Sequence, residues 1–254
     1  MTQDEKRALW KEEEAAAEMI GWDFSHLNGR LIEKELPWSY KQKVFDFLKP
    51  ESNILDMGTG GGEFLLSLRH PFKQTSVTEA WEPNLRLCEK KLAPLGITVK
   101  QAVDGEPLPY DDAAFDIVLN RHESYDINEV YRVLKPGGYF ITQQVGGSNG
   151  LRLRKFFSEN QGLDMPDFNL ENEVPRFQNA GFSINYKNQF YGDDKYLDVG
   201  AFVWYMKVLP WEFPDFSVDK DFEKLLELEK LCEKVGYIPH TQHRFIIIAR
   251  KKRK

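Results

Sequence analysis

The stretch Ile54-Leu55-Asp56-Met57-Gly58-Thr59-Gly60-Gly61-Gly62-Glu63-Phe64 runs a short apolar strand into a glycine-rich turn that opens a helical pattern. Glycine carries no Cβ, so this backbone can turn sharply and let a ligand approach closely. The spacing weakens two phosphate-binding readings. Counted from Gly58, the dinucleotide fingerprint Gly-x-Gly-x-x-Gly would put its last glycine at Glu63, whose carboxylate opposes a pyrophosphate, and a Walker loop needs a Gly-Lys-Ser/Thr that does not follow. An acid two positions before the first glycine, in Asp56-x-Gly58-x-Gly60-x-Gly62, suits a ligand with a cationic end and no phosphates.

Working outward, short apolar runs alternate with helical ones. Strands are predicted at 53–57, 75–79, 98–102, 115–120 and 139–145, with helices near 41–48, 63–70, 84–92 and 125–134. This rhythm implies βαβ crossovers and a parallel sheet covered on both faces. Two further strands, 182–191 and 243–249, flank helical patterns at 197–208 and 219–235. The expectation is therefore an α/β fold, a doubly wound and mostly parallel seven-stranded sheet, with an aromatic-rich helical insertion (192–240) before the last strand. Its ligand site should lie outside the carboxyl ends of the strands, where strand order reverses.

A chain of 254 residues with 41% hydrophobic residues can bury a sizeable core in one domain. The expected organisation is a helical arm or lid (1–40), a ligand-binding core (41–150) and a substrate-side half (151–254). Residues 1–18 read as a solvated helix and 250–254 as a frayed basic tail. A net charge of −6 has the wrong sign for a protein that neutralises many phosphates, so nucleic acid is disfavoured as a partner. The absence of an 18-residue apolar run and the charged start argue against a membrane span or secretory signal, and a cytoplasmic location is expected. Cys88 and Cys232 fit neither a metal knuckle nor a disulfide framework and read as buried thiols.

Together these features resemble the class I S-adenosylmethionine-dependent methyltransferases, of Rossmann-like fold, over about Val44 to Val145 and again at the closing strand His243 to Lys251. Within that family the chain is most similar to the small-molecule and ubiquinone-type group. Glu79 ends the second strand, where the family usually has aspartate and where a carboxylate can accept both ribose hydroxyls. Asp104, beside Gly105, matches the acid that accepts from the adenine amino group. The segment Glu129-Val-Tyr-Arg-Val-Leu-Lys-Pro-Gly-Gly138 matches the turn into the fifth strand. The resemblance thus implies S-adenosyl-L-methionine as cofactor, held by Asp56, Gly58, Thr59, Gly60, Gly62, Glu79, Ala80, Asp104, Gly105 and the backbone carbonyl of Asn120.

Methyl transfer from a sulfonium needs alignment in a dry pocket more than covalent machinery. A general base is required only if the nucleophile must lose a proton, and His122 in Asn120-Arg121-His122-Glu123 is the candidate, with Arg121 as partner for an acidic group of the substrate. His240 and His243 read as structural. The Asn/Asp-Pro-Pro-Tyr/Phe segment of amine and amide methyltransferases is lacking, as is a Cys-x-x-Cys zinc module, and no catalytic metal is suggested. The aromatics of 22–40 and 191–216 point to a small hydrophobic or planar acceptor. An RNA base and a non-catalytic S-adenosylmethionine-binding protein are the alternatives. The sequence leaves the oligomeric state open.

Overall fold

The computed structural model describes residues 1–19, 21–103, 105–157 and 167–253. In chain order the elements are α1 (Gln3–Ala15), β1 (Leu31–Ile32), α2 (Tyr40–Phe45), β2 (Ile54–Met57), α3 (Glu63–Ser67), β3 (Thr75–Glu79), α4 (Glu82–Lys91), β4 (Thr98–Gln101), β5 (Phe115–Arg121), α5 (Ile127–Val133), β6 (Leu134–Val145), α6 (Leu151–Phe157), α7 (Leu170–Asn179), β7 (Phe182–Tyr196), α8 (Val199–Val208), α9 (Phe222–Val235) and β8 (Ile238–Lys251).

The strands form one sheet in the order β1-β7-β8-β6-β5-β2-β3-β4. Strands β4, β3, β2, β5 and β6 run parallel, while β8 is antiparallel to both β6 and β7. The sheet has eight strands among the described residues rather than the seven expected. The addition is β1, a two-residue edge strand antiparallel to the far end of β7, too short to leave an alternating pattern in the sequence. Strand order reverses between β2 and β5, so the glycine turn after β2 sits at the switch point.

Every residue of β2 is buried because both sheet faces are covered. Ile54, Val77, Ile117, Leu119 and Ile141 pack on one side with Tyr40, Val44, Leu65 and Cys88, and Leu55, Val118, Phe140 and Phe245 pack on the other with Val130, Val133 and Phe177. The Lys135-Pro-Gly-Gly138 segment is not a turn before β6 but an irregularity within it. Pairing jumps from Phe115–Leu134 to Ile117–Tyr139, and Gly137 takes φ +84° to absorb the extra residues.

A third core joins α1, α8 and α9. The N-terminal helix is docked rather than solvated all round: a Thr2–Glu5 capping box starts it, Trp10 is 3% exposed against Phe222, and Arg7 and Lys11 pair with Asp219. Trp10→Ala should therefore cost about 3–5 kcal/mol in chemical denaturation; a change below 1 kcal/mol, roughly that of a surface substitution, would contradict this docking. The basic end is likewise partly ordered, with β8 reaching Lys251, whose Nζ donates to the Tyr131 and Leu134 carbonyls. Cys88 is buried, but Cys232 is only half-buried.

Candidate active site

The loop after β2 is built on left-handed glycines. Gly58 and Gly60 both have φ +62°; a Cβ on Gly58 would stand 2.5 Å from the Glu123 carboxylate, and one on Gly60 would stand 2.7 Å from the Trp22 ring. The two positions thus need glycine for conformation and for close approach. Gly62 instead serves packing, since a Cβ there would meet Leu92. Trp22 and Trp211, both exposed, meet edge-on at 5.9 Å, so the segment before α2 and the insertion come together beside Gly60.

Three carboxylates gather around this backbone. Asp56 is 4% exposed and accepts from Thr59 Oγ1 at 2.7 Å. Burial pushes its carboxyl up to about 6, against the opposing pull of Thr59 and Arg121. Glu79 is 3% exposed and accepts the Gly60 N–H. Burial pushes it up to about 7, and repulsion from Glu123 and Asp56 adds to the effect. A cradle of bare backbone ringed by desolvated acids fits a ligand that brings a sulfonium, an ammonium and two hydroxyl donors. It does not fit a pyrophosphate.

The other expected donor-side residues are placed as follows. Ala80 follows Glu79 and is exposed, Gly105 is exposed with φ +79°, and Asp104 lies outside the described residues. Asn120 is fully buried. Its carbonyl is 3.2 Å from Tyr40 Oη, its N–H donates to the same oxygen, and its Oδ1 accepts from Thr142 and Gln144. Arg121 stacks 4.8 Å over the Phe64 ring, and its charge acts on Asp56. This puts its guanidinium on the side of the glycine loop.

His122 sits one residue beyond β5 with φ +65°, its N–H donating to the Gln143 carbonyl at 2.8 Å. The residue is solvent-exposed, and desolvation is the largest influence on its ring. Its hydrogen bonding is settled two residues away. The Trp38 indole can only donate, and it donates to Gln143 Oε1 at 2.8 Å; the amide Nε2 must then donate to His122 Nε2, 3.1 Å away. His122 is therefore protonated on Nδ1, and its basic nitrogen is occupied. Desolvation and the charges of Arg244 and Arg121 hold it well below its ordinary value of 6.5.

Trp38, Gln143 and Arg244 were not legible as site residues from the sequence. Among the described residues, no group of three His, Cys, Asp or Glu could hold a metal ion. No described helix is long and apolar enough to cross a membrane.

A doubly wound sheet whose switch-point turn is glycine-rich, with acids at the ends of β2 and β3, is the class I methyltransferase architecture. Residues 55–142, about a third of the chain, match the family model described as a methyltransferase domain. The phthiotriol/phenolphthiotriol dimycocerosates methyltransferase of Mycobacterium tuberculosis is 36% identical over 88 residues, 32% of this chain and 32% of that protein. The demethylmenaquinone methyltransferase of Bacteroides fragilis is 25% identical over 134 residues, 47% of this chain and 55% of that protein. The matches thus span about a third and about half of those relatives' lengths. A Bacillus halodurans C-125 structure described as a methyltransferase superposes with a TM-score of 0.57 at 17% identity, covering 84% of this chain and 98% of that one, a likeness of fold.

Proposed function

We propose that this protein transfers a methyl group from S-adenosylmethionine to a small hydrophobic or planar molecule by in-line displacement, in the cytoplasm. The observation that carries the reading is the convergence of Asp56, Glu79 and Glu123 on the bare backbone of Gly58 and Gly60. The relatives named for phthiotriol/phenolphthiotriol dimycocerosates and for demethylmenaquinone support a small-molecule acceptor.

When bound, S-adenosylmethionine supplies an electrophilic methyl group on a sulfonium. Glu79 accepts from the ribose hydroxyls, and Asp56 with the loop backbone receives the cationic amino-acid end. Gly105 would lie by the adenine, with Asp104 as the acid that the family resemblance implies for its amino group. For this, Glu79 exchanges the Gly60 N–H for the ribose, while Glu123 and Trp22 swing off the loop. Holding nucleophile and methyl in line supplies up to about 7–11 kcal/mol of the barrier reduction. His122 presents its Nδ1–H to the acceptor as a hydrogen-bond donor and not as a base.

Micromolar binding of S-adenosylhomocysteine, no binding of NAD, and transfer of labelled methyl to a component of a metabolite library are the expected results. Failure to bind S-adenosylhomocysteine refutes the reading; binding without transfer to any component favours a non-catalytic binding protein. Gly60→Val should weaken that binding about tenfold or more in calorimetry, because a β-branched residue at φ +62° is strained and its side chain fills the bare backbone that the ligand must approach. Unchanged affinity would place the ligand elsewhere.

A further inference from the structure

Strand β8 loses β6 as a neighbour beyond the Val145–Arg244 pair and continues toward Ile238 paired with β7. His240, Gln242 and Arg244 alternate along this stretch and so share one sheet face. All three are short of hydrogen-bond partners. His240 is 2% exposed, and neither ring nitrogen has a partner; Gln242 is 4% exposed, and its Oε1 has none. Arg244 donates through Nη1 alone, to Asn149 Oδ1 and to the His243 carbonyl at 2.9 Å. Its Nε and Nη2 donate to nothing among the described residues, and no described carboxylate lies within ion-pair distance.

Each unpaired buried polar group costs about 1–3 kcal/mol, so His240 and Gln242 on one face, beside the half-buried Arg244, need a common explanation. The position supplies it. The charge of Arg244 acts on His122, and also on Tyr205 and Glu212 of the insertion, so this end of the strand lies between the insertion and the residue next to the methyl-transfer site. The surroundings are largely aromatic: Tyr196, Phe202 and Tyr205 stand 5.3–6.4 Å from the His240 ring, and Phe190 is the cross-strand neighbour of Arg244, while buried Asp194 is that of His240 and feels the Arg244 charge. Burial and nearby arginines push His240 down to about 3, so its ring is neutral and offers one N–H. A guanidinium with two idle nitrogens and a neutral imidazole, set among aromatic rings, match an oxygen anion on an apolar body.

We propose that this face binds the methyl acceptor through an anionic oxygen, carboxylate, phenolate or enolate, with Arg244 as the charge partner and His240 as a neutral donor. The proposal rests on the methyltransferase reading and gives its acceptor a chemical class.

The test measures binding of 2-naphthoate, 2-naphthol and neutral 2-naphthamide to the protein saturated with S-adenosylhomocysteine. We expect 2-naphthoate or 2-naphthol to bind about tenfold or more tightly than 2-naphthamide; which of the two leads tells a carboxylate from an enolic oxygen. Arg244→Gln should erase the preference, Arg244→Lys should restore part of it, and S-adenosylhomocysteine affinity should be unaltered in both. His240→Phe removes two unpaired nitrogens from an aromatic cage, so it should fold at least as stably as the parent while losing affinity for the preferred probe. Loss of S-adenosylhomocysteine binding by the parent protein would refute the methyltransferase reading itself. Normal donor binding with no preference over 2-naphthamide, or a preference that survives both Arg244→Gln and His240→Phe, overturns this proposal alone.

Discussion

Glu79→Gln is expected to weaken S-adenosylhomocysteine binding by about a hundredfold while making the unliganded protein more stable at pH 8. The first effect follows from two ribose hydroxyls losing a charged acceptor, at about 1.5–3 kcal/mol for each such bond and an amide replacing rather than deleting it. The second follows from burial. Glu79 is pushed from its ordinary 4.5 up to about 7, so the folded protein binds its proton more tightly than the unfolded chain does. Stability from this group is fully present below pH 4.5 and is lost as pH rises through 7. Above that the protein carries a desolvated charge facing Asp56 and Glu123, at a cost of about 1–3 kcal/mol, and glutamine removes it. The amide oxygen can still accept the Gly60 N–H, so the loop is not disturbed. Denaturation at pH 8 should show the gain, and at pH 4.5 the two proteins should be equal. Parental affinity for S-adenosylhomocysteine should rise as pH climbs through 7, because the ribose is held by the ionised form. A variant that binds normally and is no more stable at pH 8 would remove Glu79 from the site.

This conflict between stability and binding bears on what the sequence could show. The seven long strands were legible because the central ones are buried on both faces, so each reads as an apolar run between turn signals, and the glycine turn identified the ligand end of the sheet. Helix α7 escaped because Pro175 lies inside it; Asn169 caps its start, and buried Val174 and Phe177 hold it despite the missing donor. The far end of β7 was hidden in Gly192-Asp-Asp-Lys-Tyr196, a polar stretch whose pairing with β8 supplies what its composition does not. The acids at 56 and 79 stand in register with the loop and could be read from local spacing. The Trp38–Gln143–His122 chain could not, because its members are 105 and 21 positions apart and are joined only by the packing of the segment before α2 on β6 and by the register of β6 with β5. Arg244 looked like an ordinary strand residue for the same reason.

That chain decides what His122 can do. With an acceptor identified by the labelled-methyl screen, His122→Ala is expected to lower kcat about a hundredfold, the lower end of what loss of one transition-state donor costs, with S-adenosylhomocysteine affinity unchanged. His122→Asn, whose amide can also donate, should retain most of the activity. A base would give the reverse pattern, because asparagine cannot take a proton and would fail as alanine does. The pH dependence separates the two independently. His122 is held well below 6.5, its Nε2 engaged by Gln143 and its surroundings cationic, so it should leave no inflection near its ordinary value in kcat/KM. Nitrogen NMR of the ring should show the proton on Nδ1, and Gln143→Leu, which frees Nε2, should mix the two tautomers. Equal failure of the alanine and asparagine variants, together with an acid limb near pH 6.5 that vanishes in both, would restore His122 as the base and show that the Gln143 contact opens during turnover.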